Sequence, residues 1–383
     1  MKTVLVRAPL LTTSGYGVHS RQLFRWLLNK DDIDLRTNIV PWGITSWIIN
    51  PDHENGLIGE AMQRSSPAQG QPDVTFQLQL PNEWDPNLGK YNVGVSAVVE
   101  TDKCNPEWIN CCNRMSAVVV PSEHTANVLR ETGKINVPLY VIGESFTDDC
   151  KTAPPLDLDI DTNFNFLVLG QLTDHDPYRD RKNVLFSLRW LCEEFADDPD
   201  VGIIIKTNTG KGTKIDRKAT RNVLQGVLNE IRKGPYPKVH FVHGNMKPSE
   251  VAGLYKNASV KALVTATRGE GFGLPLVEAA ACGLPVVATN WSGHLDFLDL
   301  GKWIKIDYDL VEIPKNRVDN QIFINQTKWA EPREDDFKQK IRKFRKKPQK
   351  PQEWAKELKG KVHEKFSFDA IEESYEKHFG KML

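Results

Sequence analysis

The chain has 383 residues, with 50 Lys and Arg balancing 50 Asp and Glu, 40% apolar residues and 26% charged ones. That length suffices for two α/β domains with separate cores, and the composition is ordinary for a soluble protein. No apolar run approaches the roughly 18 residues that would span a bilayer. The six cysteines (104, 111, 112, 150, 192 and 282) show neither Cys-x-x-Cys spacing nor a nearby histidine pair, which argues against structural zinc and predicts reduced, mostly buried thiols in a cytoplasmic protein.

Residues 3–7 predict a first strand that starts too soon after Met1 to leave room for a signal-peptide core. Residues 12–17 read as a turn, and 18–28 as a helix with apolar Val18, Leu23, Trp26 and Leu27 at helical spacing. The pair Gly15-x-Gly17 invites a dinucleotide reading. However, Ser20 stands where a third glycine is needed, and no acid ends the next strand (35–40), so NAD binding is disfavoured. Residues 43–71 show no period. Strands are expected at 73–80 and 91–99, the second ending in Glu100 and Asp102, where parallel sheets expose polar groups to ligands. Glu100 either faces such a ligand or caps the helix that starts near Pro106. A strand at 117–120, a helix opened by Ser122 and closed by Gly133, and a strand at 138–142 complete a first α/β unit.

Residues 145–163 are acidic, contain Pro154-Pro155 and lack helical periodicity, as a linker should. A new strand (164–170) leads through a loop to Lys182, Asn183 and a helix ending at Phe195. Cations such as Arg179, Arg181 and Lys182 at a helix start are electrostatically disfavoured unless an anion joins them. Strands at 201–207 and 238–243 follow, the latter leading to Gly244 and Met246. The segment 209–214 lacks phosphate-loop spacing and reads as an exposed basic turn.

An apolar run (262–265) then feeds a loop holding Gly269, Gly271 and Gly273 and a helix that Pro275 can start and Gly283 can end, with a strand at 285–288. Such a turn aims backbone N–H groups and a positive helix end at one spot, where an anion is favoured. Glu270 and Glu278 frame it, and carboxylates there accept hydrogen bonds from hydroxyls more readily than they tolerate phosphate. Further on, residues 338–361 carry eleven Lys or Arg against two Glu, a local charge of +9. This run is either a solvated helical face or a contact with an anionic surface, DNA or membrane. A last helix is expected at 369–379.

The stretch Glu270-Gly-Phe-Gly-Leu-Pro-x-x-Glu278-Ala, followed by Gly283-x-Pro285-Val-Val, resembles the donor-site signature of family-4 retaining glycosyltransferases. The resemblance implies the α/β GT-B fold, two facing Rossmann-like domains with a deep interdomain cleft. It implies an acceptor-side domain over 1–150, a donor-binding domain over 164–365, and a helix over 366–383 crossing back to the first. It further implies a nucleoside-diphosphate sugar of UDP or GDP type as donor, and transfer to an acceptor hydroxyl with retained configuration and no protein nucleophile.

Carried over residue by residue, Lys182 matches the diphosphate lysine. Gln171 occupies the usual arginine position, so Arg181 or Arg179 must supply the second charge. Gly244 and Met246 match the loop that contacts the base. Glu270 and the backbone of Gly271, Phe272, Gly273 and Leu274 match the sugar site, and Glu278 the ribose contact. Gly15 and Gly17 take the place of a glycine loop near the transferred sugar, with Glu100 and Asp102 on the acceptor side. Neither a metal nor a further cofactor is expected, because cations and helix ends would carry the charge. A saccharide is the expected acceptor. The rival readings are transfer to hydroxymethylated bases of DNA or to a lipid-linked acceptor, a sugar-nucleotide epimerase or phosphorylase, and a non-catalytic sugar-nucleotide binder.

Overall fold

The structure, a computed structural model, describes residues 1–65, 70–232 and 234–383. They form two compact units. The first comprises Met1–Ser145, Asp319–Ile324 and Phe368–Leu383, and the second Phe146–Val318 and Asn325–Ser367.

The first unit alternates strands and helices: β1 (Lys2–Ala8), α1 (Gly15–Leu28), β2 (Ile33–Ile39), α2 (Leu57–Gln63), β3 (Val74–Leu78), β4 (Tyr91–Val95), α3 (Pro106–Asn113), β5 (Ala117–Val120), α4 (Glu123–Thr132) and β6 (Leu139–Val141). The six strands pair in parallel in the order β2-β1-β3-β4-β5-β6. Strands covered on both faces must be apolar throughout, and Ala117-Val-Val-Val120 is buried at every position. Local caps set the helix starts. The Ser122 side chain accepts from the Thr125 amide at 3.2 Å, and Asn105 accepts from Glu107 in front of Pro106.

Two expectations are corrected here. The first helix begins at Gly15 rather than Val18, because Ser14 caps it by accepting from the Gly17 amide at 3.0 Å. Gly15 and Gly17 therefore lie in a helical turn, and not in a loop. The fourth strand stops at Val95, and Val98 turns the chain with a φ of 54°, so Glu100 and Asp102 sit in the loop beyond the strand end. Within 43–71, α2 emerges where no period was legible, while residues 66–69 lie outside the described residues.

The second unit contains α5 (Asp149–Thr152), β7 (Phe164–Leu169), α6 (Val184–Glu194), β8 (Val201–Lys206), α7 (Lys214–Ile231), β9 (Lys238–Val242), α8 (Pro248–Lys256), β10 (Val260–Thr265), α9 (Leu274–Cys282), β11 (Val286–Thr289), α10 (Leu295–Leu298) and β12 (Ile304–Ile306). A hairpin of β13 (Tyr308–Glu312) and β14 (Lys328–Pro332) follows, then α11 (Glu334–Lys346) and α12 (Gln349–Phe366). The parallel sheet runs β12-β11-β10-β7-β8-β9, with one apolar core layer on each face. Strand order reverses between β7 and β10, so the loops leaving those two strands flank the crevice where open α/β sheets bind ligands.

The last helix, α13 (Phe368–Phe379), belongs to the first unit. There Tyr375 stacks on Trp26 with ring centroids 5.1 Å apart, and Glu376 pairs with Lys30 at 2.6 Å.

Candidate functional site

The β7–α6 loop is built around Asp180, whose carboxylate is wholly buried. One oxygen accepts from the Thr173 hydroxyl at 2.6 Å and the Thr173 amide at 3.1 Å, and the other from the Val184 amide at 2.8 Å at the start of α6. Asn183 adopts a left-handed conformation (φ 53°) and donates through its side chain to Ala266 O at 2.9 Å, fastening this loop to the one that leaves β10. Arg181 and Lys182 are thereby delivered onto the glycine loop.

Lys182 Nζ lies 2.5 Å from Glu270 Oε2, and Arg181 Nη1 is 3.8 Å from the same oxygen while donating to Gly269 O at 2.5 Å. The second Glu270 oxygen accepts from the Thr267 hydroxyl at 3.0 Å. The loop after β11 closes around this pair: the Glu270 amide donates to Ser292 Oγ at 2.8 Å, and Gly293 N donates to Glu270 O at 2.9 Å. A Cβ on Gly293 would stand 2.1 Å from Gly271 O, so only glycine allows that approach. Burial pushes the Glu270 carboxyl up, yet Lys182 and Arg181 outweigh it and hold the group below its ordinary range.

Sequence reasoning missed His294, which is buried against Gly273. Its Nε2 donates to Thr289 O at 2.7 Å, its Nδ1 has no hydrogen-bond partner, and burial lowers its pKa, so the ring is neutral. The available signal was the run of small polar residues and glycine after β11, the strand beside β10.

Gly273 takes a φ of 105° and starts α9 without a side-chain cap, and Gly283 ends it at 80°, as the glycine and proline spacing predicts. Leu274 is the helix's first residue and Phe272 packs into the core beneath it. Glu278 lies one turn further along. Its surroundings are not those of Glu270: Cys150 Sγ contacts Glu278 O at 3.7 Å, and burial, aided by the nearby charge of Asp149, raises its carboxyl to about 7. Among the described residues its carboxylate takes no hydrogen bond, and no ion pair joins it to Lys182 or Arg181.

Of the two arginines considered beside Lys182, the structure brings Arg181 to Glu270 and turns Arg179 to Asp174, at 2.9 Å, and Asp176. Gly244 has a φ of 101°, and its carbonyl accepts from Lys206 Nζ at 2.7 Å, while Met246 packs half-buried against the core. The 209–214 segment is more than an exposed turn. Asp216 gathers the Thr209 hydroxyl, the Gly212 amide and His243, and Thr213 caps α7.

In the first unit, Gly17 packs so tightly that a Cβ would meet Thr12 O at 2.2 Å. Between the two glycines, Tyr16 stacks on Trp42 at 3.9 Å, and its hydroxyl lies 3.0 Å from both Ser96 Oγ and the Ala97 amide. Burial raises the Tyr16 hydroxyl, and the charges of Glu100 and Glu144 push the same way. Glu100 is thus near the Gly15 turn, and Asp102 follows in the same loop.

Asp-x-Asp triplets occur at 32–34, 157–159, 159–161, 174–176, 198–200 and 307–309. Asp174 and Asp176 are engaged by Arg179, and Asp309 by Arg333. Among the described residues, no group of three or more His, Cys, Asp or Glu could hold a metal ion, and no helix is long and apolar enough to cross a membrane. The basic 338–361 run covers most of α11 and most of α12. Lys338 pairs with Glu193 at 2.7 Å, Arg342 with Glu194 at 2.5 Å, and Arg345 with Asp198 at 3.1 Å, all on the unit's own surface.

Residues 225–361, less than half of the chain, match the family described as glycosyl transferases group 1. No curated protein matches the sequence. The whole chain is similar in fold to a sucrose-phosphate synthase from Thermosynechococcus elongatus, with a TM-score of 0.67, 14% identity and 100% of this chain covered against 99% of the other. It is likewise similar to the Anabaena protein HepE in complex with UDP and glucose, with a TM-score of 0.61, 14% identity and coverage of 99% and 100%. A glycosyltransferase from Rickettsia africae gives 0.66 at 13% identity, covering 100% of this chain and 98% of that one. The fold is therefore the α/β GT-B class, with its two Rossmann-like units.

Proposed function

We propose that this protein transfers a sugar from a nucleoside-diphosphate sugar to an acceptor hydroxyl, with retention of anomeric configuration. The observation that carries the reading is the convergence of Lys182 and Arg181 on buried Glu270 at the strand-order reversal of the second unit. Two cations beside uncapped helix amides form a site for a diphosphate, and stabilising the charge of a departing diphosphate is where such a site lowers the barrier most. The match of residues 225–361 to group-1 glycosyl transferases supports the same chemistry, and the UDP bound in the Anabaena neighbour favours a uridine donor.

In this reading Lys182 exchanges Glu270 for a phosphate oxygen when the donor arrives. Arg181 already lies against Gly269 O and reaches the same charge. The Glu270 carboxylate, released on one oxygen and still held by Thr267 on the other, accepts from a sugar hydroxyl, while the amides of Gly271 to Leu274 meet the donor's oxygens. Glu278, half-buried and without a partner, accepts from the ribose. The cations supply the neutralisation that a divalent metal would otherwise provide, so chelation leaves activity intact. The acceptor is a saccharide or another small hydroxyl compound. In the basic run Lys338, Arg342 and Arg345 pair with Glu193, Glu194 and Asp198 of the same unit, which lessens the charge left to meet a nucleic acid.

The test combines UDP binding with one substitution. UDP at 100 times its dissociation constant should stabilise the protein by about 2.7 kcal/mol, read as a rise in melting temperature. Lys182→Ala should lower kcat by about 10² to 10³, the scale of losing one preorganised charge-stabilising donor. Absence of any thermal shift with UDP or GDP, or wild-type turnover in Lys182→Ala, would remove the reading.

A further inference from the structure

Arg268 precedes the glycine loop, and its side chain touches none of the groups assigned to the donor above. Its side chain is 1% exposed, yet four of the five N–H donors of the guanidinium are engaged. Nε and Nη2 form a two-pronged pair with Glu331, at 2.6 and 2.9 Å, and Nη1 donates to Pro177 O at 2.8 Å and Asp180 O at 2.7 Å. The Trp329 and Phe186 rings lie 5.2 and 5.8 Å from its central carbon. Its backbone is engaged too: the amide donates to Arg181 O at 2.8 Å, and the carbonyl accepts from the Ala330 amide at 3.1 Å. One residue thus joins the β7–α6 loop, the β10–α9 loop and β14.

A buried charge with this many fixed bonds is a costly way to fill space, since an apolar side chain of similar size would serve a core as well. What the guanidinium achieves, and an apolar residue could not, is to hold two carbonyls of the segment that ends in Arg181 and Lys182. Asp180, whose carbonyl Arg268 grips, immediately precedes both cations. Glu331, 35% exposed, braces the other edge of the planar group. We infer that Arg268, held by Glu331, is a positioning residue that sets Arg181 and Lys182 at the spacing a diphosphate requires. This rests on the donor-site reading above. A lysine would not substitute: its ammonium is a point donor, without the fork that meets a carboxylate and two carbonyls together.

The experiment compares UDP with uridine, which lacks the phosphates, in the wild type, Lys182→Ala, Arg268→Lys and Glu331→Gln, with dissociation constants measured by calorimetry. A purely structural defect weakens both ligands alike, whereas misplaced cations weaken UDP alone. The expected result is a loss of about tenfold in UDP affinity in Arg268→Lys, with uridine unchanged, and a smaller loss of the same kind in Glu331→Gln. If Arg268→Lys does not fold, partly exposed Glu331→Gln decides alone. A wild-type ratio of UDP to uridine affinity in the folded variants, or an equal loss for both ligands, overturns the positioning role. If instead the wild type does not prefer UDP to uridine, or Lys182→Ala leaves that preference intact, the donor-site reading fails, and the positioning role fails with it.

Discussion

Glu270 and Glu278 stand eight residues apart on one loop and helix, and the fold gives them opposite electrostatic surroundings. Glu270 is 5% exposed, yet it is held ionised, because burial is more than offset by Lys182 and Arg181 within 4 Å. Glu278 meets no cation, so burial, aided by the nearby charge of Asp149, raises its carboxyl to about 7. The difference teaches that burial alone does not decide the state of a carboxyl; the charge of the groups that share its burial does. It also separates two tasks: Glu270 can hold and release cations, and Glu278 can meet hydroxyls as either donor or acceptor near neutral pH.

The largest test of this contrast removes the Glu270 carboxylate. Glu270→Ala leaves Lys182 and Arg181 facing each other without their shared anion, and breaking a buried pair this way costs on the order of 3 to 5 kcal/mol. Denaturant unfolding should show that loss, with most of it restored by saturating UDP if the diphosphate takes the carboxylate's place. A stability equal to wild type would show that the two cations need no anion.

Near neutral pH, Glu278→Ala should leave stability at or above wild type, since nothing pairs with this carboxyl and burial disfavours its charge, and weaken UDP binding by about 1 to 3 kcal/mol through unpaired ribose hydroxyls. Calorimetric titration separates the two quantities. Large destabilisation with unchanged UDP affinity would make Glu278 a packing residue and undo its half of the comparison.

A smaller effect concerns pH. Glu270 has a lowered folded pKa, so its contribution is present above its ordinary value of 4.5 and is lost as pH falls through the folded value. Glu278 has a raised one, so the folded state holds a proton that the unfolded chain has released, and stability falls as pH rises from 4.5 to about 7. The slope in that window is at most about 1.4 kcal/mol per pH unit for one group. Chemical unfolding between pH 4.5 and 7.5 should show this decline in the wild type and a flatter profile in Glu278→Gln. Identical profiles would mean that Glu278 titrates normally.

Much of the second unit was legible because its signals are local. Gly273 and Gly283 occupy left-handed positions at the ends of α9, and Pro275 sits in its first turn, so three residues delimit the helix without reference to anything distant. Ser122 and Gly133 bound α4 in the same way. The start of α1 is not legible locally, because glycines in a first turn read as a loop and only the Ser14 cap shows the helix. The end of β4 was overextended because apolar residues continue to Val99 after the pairing to β5 has stopped. The hairpin of β13 and β14 escaped notice, its partners being separated by a long irregular connection.

The amino-acid order alone established the α/β alternation and the glycine loop with its helix, because each of these depends on contacts within a few positions. Tertiary structure decided the rest. It chose Arg181 over Arg179 as the companion of Lys182 and brought His294 against the glycine loop. It surrounded Glu270 with cations while leaving Glu278 without one, and it set Arg268 on Glu331 across 63 positions of chain. Those choices are made by which loops leave neighbouring strands, and strand order in a parallel sheet is a property of the whole fold rather than of any local stretch.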